Sequence, residues 1–134
     1  MTKATEQQIG GSHYKQFKIQ PMEMAEKLGL PPTIFSAFKY VVRAPFKGKF
    51  DEDLDKCIHC LQLFAELSDC VILNMVSPRE YMEFLGQFDD VHRNVIHVIL
   101  TYPEHQQFDE VVGLIEGYRE LCNTPMTAKE ADYE

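Results

Sequence analysis

The sequence predicts an all-α protein, a compact helical domain of about five or six helices. Apolar residues recur with the 3.6-residue period of a helix along several segments, and no segment of useful length alternates with the two-residue period of a strand. The 134 residues allow one hydrophobic core, and we expect a single domain over 1–134. Its predicted parts are an N-terminal arm at 1–20, a family-like helical core at 21–75, a C-terminal helical half at 76–122 and a flexible tail at 123–134.

Proline and glycine mark the ends of the first two predicted helices. Pro21 suits the first turn of a short helix that ends near Gly29. A second helix is expected from about Pro32 to Ala44, and Pro45 stops it.

The third predicted helix has the clearest pattern. It begins at three carboxylates, residues 51–53, which suit the positive end of a helix dipole. Its buried face is predicted from spacings of three and four to consist of Leu54, Ile58, Leu61, Ala65, Ser68 and Ile72. Further apolar residues on its other sides predict that the protein is a homo-oligomer, in which a second subunit covers them.

The second half is predicted to contain further helices. Ser77 and Glu80 form a capping box that opens a short helix, and Thr101 and Glu104 repeat this spacing. The remaining apolar residues at helical spacing fall into two groups: Phe88, Val91, Val95, Val98, Ile99 and Tyr102, then Phe108, Val111, Val112, Ile115, Tyr118 and Cys122.

Composition restricts the classes of function. The formal net charge of −8 argues against binding to long nucleic acids. No apolar run approaches the roughly 20 residues that cross a bilayer, and the N-terminus has no apolar stretch typical of a secretory signal. We therefore expect a cytoplasmic protein that does not bind membranes. The four cysteines are expected to be reduced thiols.

Charge is distributed unevenly along the chain. Between Gly11 and Phe50 there are two acidic residues and seven basic ones, namely Lys15, Lys18, Lys27, Lys39, Arg43, Lys47 and Lys49. From Cys57 onward there are four basic and fourteen acidic residues. One basic region on an acidic protein favours a compact anionic ligand over a long polyanion.

The basic residues that could form a site centre on the second predicted helix. Lys39 and Arg43 are four residues apart and share one helix face, which Ser36 and Tyr40 flank. Other candidates follow in the loop and in the next helix, namely Lys47, Lys49 and Lys56, the last beside Asp53. Phosphate oxygens need such a set of donors. The charge pattern alone fits both an anion site and a solvated basic face.

The N-terminal arm contains a second candidate group, Ser12-His13-Tyr14. His13 can transfer protons near neutral pH, and Tyr14 can stack on a base. A flexible arm, or a scar resembling a purification tag, is the alternative interpretation.

Other chemical signatures are weak or missing. Cys57 and Cys60 have the spacing of a zinc ligand pair, but a closed site needs a second pair, so we expect core thiols and no metal site. The sequence contains no Walker phosphate loop, no dinucleotide-binding glycine motif and no zinc-protease motif.

Residues 11–66 resemble a phage domain family. The resemblance is carried by Ser12-His13-Tyr14, Glu23, Lys39-Tyr40-x-x-Arg43-Ala44, Lys47 and Asp53-Leu54-x-Lys56-Cys57. These match a pattern that reads approximately S-H-Y, an acidic residue in a helix, K-Y-x-x-R-A and D-L-x-K-A. The family is related to the nucleotide kinase of T-odd podoviruses, which lacks a Walker loop and phosphorylates deoxynucleoside monophosphates.

The resemblance implies a nucleotide-binding phage protein in the cytoplasm of an infected host cell, with nucleotide kinase as the enzymatic hypothesis. No cofactor is expected beyond the nucleotide ligand, and the sequence leaves the Mg²⁺ requirement undetermined. Lys39 and Arg43 are expected to bind the phosphates, and Lys47 and Lys56 to complete the set of cations.

The expected catalytic residues are His13, Asp53 and Lys56. Asp53 is expected to orient Lys56 or to help position an attacking oxygen, and His13 and Tyr14 to close over the ligand. The alternatives are a non-catalytic protein that sequesters a nucleotide or nucleotide-derived signal, and a module that binds a host protein through the acidic C-terminal half.

Overall fold

A computed structural model describes residues 17–67, 73–105 and 107–123. Every regular element in these ranges is an α-helix, which confirms the all-α prediction. The elements are α1 (Pro21–Leu28), α2 (Pro32–Arg43), α3 (Phe50–Leu67), α4 (Pro78–Leu85), α5 (Asp90–His105) and α6 (Phe108–Asn123).

Local signals explain where most helices begin and end. Proline occupies the first turn of α1, α2 and α4, where its missing N–H has no helical partner to lose. Gly29 ends α1 in a left-handed conformation, with φ of 68°, and its N–H donates to the carbonyl of Ala25 at 3.0 Å. The Ser77 hydroxyl accepts from the N–H of Glu80 at 3.1 Å, which confirms the predicted cap of α4.

The predicted buried face of α3 is partly wrong. Leu54 and Leu61 are buried as expected, but Ala65 is exposed, and Ser68 and Ile72 lie outside the described residues. Cys57 and Phe64 are fully buried instead. The buried face of α3 therefore runs through residues 54, 57, 61 and 64. Helix α3 contacts both α2 and α6, so the side chains that point between these two helices are the buried ones.

The capping box predicted at Thr101 is also wrong. Thr101 lies inside α5, and its hydroxyl donates to the carbonyl of His97 at 3.0 Å. Pro103 is buried within the last turns of the same helix. Helix α5 therefore continues through a segment that the sequence pattern assigned to a new helix start.

One apolar core joins the two halves of the chain. Helix α2 packs on α3 and α5, and α6 packs on α3 and α5. An aromatic pair also joins α3 to α5, where the rings of Phe64 and Tyr102 meet edge to face with centroids 5.6 Å apart. No helix among the described residues is long and apolar enough to cross a membrane. The predicted homo-oligomer remains a prediction.

Candidate functional site

The first part of the site is the junction between α2 and α3. Helix α2 ends at Arg43 before a short turn at 44–49. In that turn the N–H groups of Phe46 and Lys47 donate to the Arg43 carbonyl at 2.8 and 3.2 Å. Gly48 adopts a left-handed conformation, with φ of 76°, which glycine takes without steric cost. The turn brings the last turn of α2 beside the first turns of α3.

Three cationic side chains surround the ring of Tyr40 at this junction. The Nζ of Lys39 lies 5.1 Å from the ring centroid, the Cζ of Arg43 4.8 Å and the Nζ of Lys56 5.5 Å. These distances are within the range of cation–π attraction. We call Tyr40, Lys39, Arg43 and Lys56 the Tyr40 cation cluster.

Arg43 is held in the cluster by a buried carboxylate. Its Nε and Nη2 donate to the two oxygens of Asp53 at 3.3 and 3.2 Å. The side chain of Asp53 is 1% exposed and that of Arg43 is 22% exposed. The two hydrogen bonds to Asp53 therefore fix the orientation of the guanidinium, part of which is still exposed to solvent.

The expectation that Asp53 orients Lys56 is wrong. Asp53 binds Arg43, whereas Lys56 pairs with Glu52 one turn earlier, at 3.6 Å. Residues 53 and 56 lie on the same side of α3, but Arg43 reaches the carboxylate from α2 with two donors, a geometry that a single ammonium cannot match. Because Asp53 is buried and bound through both oxygens, it positions Arg43.

Lys39 has no carboxylate within ion-pair distance among the described residues. Its side chain is half-buried, and its positive charge acts on the Cys60 thiol, opposing the effect of burial, which raises the pKa of that thiol. The Lys39 ammonium shares the Tyr40 ring with two other cations, and an approaching anion would reduce the repulsion among them. The cluster therefore has unneutralised positive charge.

The other predicted site residues have different positions. Ser36 is half-buried one turn before Tyr40 on α2, and among the described residues no side-chain hydrogen bond joins it to the cluster. Lys47 is exposed on the turn after α2 and lies apart from the Tyr40 ring. His13 and Tyr14 lie outside the described residues.

The cysteines have no metal-binding arrangement in the described ranges, where no group of three or more His, Cys, Asp or Glu side chains could hold a metal ion. Cys57, Cys60 and Cys122 are free thiols. Cys57 is fully buried, and burial raises the pKa of its thiol well above the ordinary value. It is a core residue, as expected.

Two residues that contact the site helices were not identified from sequence. His92 of α5 donates from Nε2 to the Val41 carbonyl of α2 at 2.6 Å. Arg119 of α6 donates to Asp51 of α3 at 3.0 Å. These contacts span 51 and 68 positions of the chain. No local sequence signal indicates pairs so far apart.

Comparison with known families gives a match over the first part of the chain. Residues 9–62 match the model of a family described as a protein of unknown function, DUF3310. This domain contains α1, α2 and most of α3, and therefore the whole Tyr40 cation cluster. Its description assigns no activity and does not link the chain to nucleotide kinases. No curated protein and no solved structure matches the chain.

Proposed function

We propose that this protein binds the phosphate groups of a nucleotide at the Tyr40 cation cluster. The observation that carries the proposal is the convergence of Lys39, Arg43 and Lys56 within 5.5 Å of one ring centroid, on a protein whose formal net charge is −8. A group of cations on an acidic protein suits an anion.

The electrostatic balance of the cluster supports this proposal. Two carboxylates contact it, Asp53 on Arg43 and Glu52 on Lys56. Glu52 is also shared with Lys49, and Lys39 has no carboxylate partner among the described residues, so the cluster keeps an excess of positive charge. An incoming phosphate would relieve the repulsion between the cations and would gain charge-assisted hydrogen bonds.

The donors of Arg43 support recognition of a phosphate. A guanidinium has five N–H groups in a fixed fork, and Asp53 accepts from Nε and Nη2. Nη1 therefore remains for a ligand, and the ion pair fixes its direction in advance. Lys39 and Lys56 add point charges on flexible stems, which suit oxygens at varied positions.

The size of the cluster and its surroundings favour a compact ligand. All of its cations lie around one tyrosine ring, and the chain from Cys57 onward has a large acidic excess. This acidic excess would disfavour a long nucleic acid more than a mononucleotide. The proposed ligand is therefore a free nucleotide.

The nucleotide-kinase resemblance extends the proposal to phosphoryl transfer in a phage-infected cell. This reaction depends mainly on positioning and charge neutralisation, which clustered Lys and Arg side chains can supply. Asp53 would contribute by holding Arg43, because its oxygens are buried and bound. Sequestration of a nucleotide without chemistry is the alternative, and it needs the same cluster.

The experiment compares wild-type protein with two variants by isothermal titration calorimetry. The ligands are deoxynucleoside mono-, di- and triphosphates, each with and without Mg²⁺. We expect Lys39→Ala to weaken binding by roughly tenfold. Lys18→Ala is the matched control, because Lys18 is an exposed lysine paired with Glu83 on another surface, and it should bind as wild type does. Equal affinities for all three proteins would refute binding at the cluster.

Catalysis and sequestration are then separated by mass spectrometry. The protein is incubated with a deoxynucleoside monophosphate and a triphosphate donor, denatured, and its small molecules are identified. Diphosphate formation that Lys39→Ala lowers supports the kinase hypothesis. Recovery of unchanged ligand from a protein that binds it supports sequestration.

A further inference from the structure

The C-terminal part of the protein binds both helices that form the Tyr40 cation cluster. One attachment is Arg119 of α6, whose side chain is 19% exposed. Its Nη1 donates to a side-chain oxygen of Asp51 at 3.0 Å and to the Asp51 backbone carbonyl at 3.3 Å. Its Nη2 donates to the carboxylate of Asp55. Arg119 therefore binds the first and the second turn of α3.

These contacts lie on the opposite side of α3 from the cluster. Successive residues of a helix are rotated by about 100°, so Asp51 and Asp55 share one face, and Asp53 projects from another. Arg43 binds Asp53 from α2, and Arg119 binds Asp51 and Asp55 from α6. The start of α3 is thus held between two arginines on different helices.

The second attachment is His92 of α5, which is 1% exposed. Its Nε2 donates to the carbonyl of Val41 at 2.6 Å. The last four carbonyls of a helix have no helical partner, and Val41 is within the last four residues of α2. His92 therefore satisfies a buried carbonyl in the turn of α2 that also contains Tyr40 and Arg43.

We propose that Arg119 is a positioning residue for the phosphate site, acting through α3. By fixing the rotation and the axial position of the first turns of α3, it sets where Asp53 holds Arg43 and where Lys56 meets Tyr40. His92 fixes the corresponding turn of α2. This inference rests on the proposed function, and it makes the phosphate affinity depend on a residue that contacts no part of the cluster.

The test uses full-length Arg119→Met, with Arg93→Met as a matched control. Arg93 is also a partly buried arginine that donates to backbone carbonyls, at Leu85 and Phe88, but among the described residues none of its side-chain hydrogen bonds or ion pairs reaches α2 or α3. Both variants are expected to lower the midpoint of urea unfolding. Only Arg119→Met should weaken nucleotide binding, by roughly threefold to tenfold.

A rescue variant separates positioning from general destabilisation. Arg119→Lys restores a cation that can reach one of the two carboxylates, so its affinity should lie between those of Arg119→Met and wild type. Equal affinity losses for Arg119→Met and Arg93→Met, or no loss for either, would overturn the inference.

A second readout distinguishes failure of this inference from failure of the proposed function. The side-chain Nε–H signal of Arg43 in a nitrogen–proton NMR spectrum reports its bond to Asp53 without any ligand. Arg119→Met should shift or broaden this signal, and Arg93→Met should leave it in place. If wild-type protein binds no nucleotide, the proposed function fails, and the Arg43 signal alone decides whether Arg119 positions the cluster. An unchanged Arg43 signal in Arg119→Met refutes the positioning role of Arg119.

Discussion

The two oxygens of Asp53 accept separate hydrogen bonds from Arg43, so that residues ten positions apart join the end of α2 to the start of α3. The carboxylate is buried, and the guanidinium faces both the core and the surface. The ion pair therefore connects the stability of the protein to its candidate binding site.

Arg43→Met is expected to lower the free energy of unfolding by about 3 kcal/mol, because it leaves the Asp53 charge buried without a partner. The double variant Arg43→Met/Asp53→Leu should recover most of this loss, since no unpaired charge remains. Urea unfolding followed by circular dichroism measures both. A double variant as unstable as the single one would show that the buried charge is not the cause.

Lys56 and Lys49 provide a matched pair, because each forms an ion pair with Glu52, at 3.6 and 3.9 Å. Only Lys56 also lies at the Tyr40 ring. We expect Lys56→Ala to weaken nucleotide binding roughly fivefold to tenfold and Lys49→Ala to change it less than twofold. Titration calorimetry at two salt concentrations tests this expectation. If Lys49→Ala weakens binding more than Lys56→Ala does, the phosphate site lies at the turn after α2 and not at the Tyr40 ring.

His92 makes stability depend on pH. Burial lowers its pKa below the ordinary value of 6.5, so the unfolded chain takes up a proton at this position more readily than the folded protein does. The contribution is fully present above pH 6.5 and is lost as the pH falls towards the lowered value, by up to about 1.4 kcal/mol per pH unit.

The check is urea unfolding between pH 5 and 7.5. His92→Gln should reduce the slope of stability against pH, although it also lowers stability at neutral pH. His59→Gln is the control for the loss of an imidazole, because His59 is exposed on α3. Parallel curves for wild type and His92→Gln would exclude His92 as the source.

Replacing each of two glycines by alanine should change the stability of the protein in opposite directions. A Cβ on Gly29 would lie 2.8 Å from the Nδ2 of Asn74, in a left-handed backbone conformation, so Gly29→Ala should cost about 1–2 kcal/mol. A Cβ on Gly117 of α6 would meet nothing within 4 Å. Gly117→Ala should therefore stabilise the protein by about 0.5–1 kcal/mol. Thermal unfolding measures both; stabilisation by Gly29→Ala would contradict the geometry.

Local sequence signals were sufficient for most of the helices. Pro21, Pro32 and Ser77 correctly predicted where α1, α2 and α4 begin, because capping and the missing proline N–H act within one turn. Thr101 wrongly predicted the start of a new helix, because its hydroxyl donates to the carbonyl of His97 one turn earlier. A side chain that caps helices can also bind inside one, and its spacing from Glu104 does not distinguish these cases.

Sequence spacing was also sufficient to predict the central part of the candidate site. Arg43 lies four residues after Lys39 and three after Tyr40 on one helix, so its proximity to both follows from the helical period. The partner of Asp53 could not be predicted in this way, because it depends on how α2 packs against α3. The attachments through His92 and Arg119 depend on α5 and α6 and join positions more than 50 apart. Such contacts follow only from the packing of the whole molecule.

The short connection at 44–49 has a kinetic consequence. Helices joined by a few residues meet after closing only a small loop, which costs little chain entropy and occurs early in folding. The Arg43–Asp53 pair can therefore form as soon as these two helices dock. The bonds made by Arg119 and His92 require the remainder of the chain, and should appear last during refolding and break first when the protein opens.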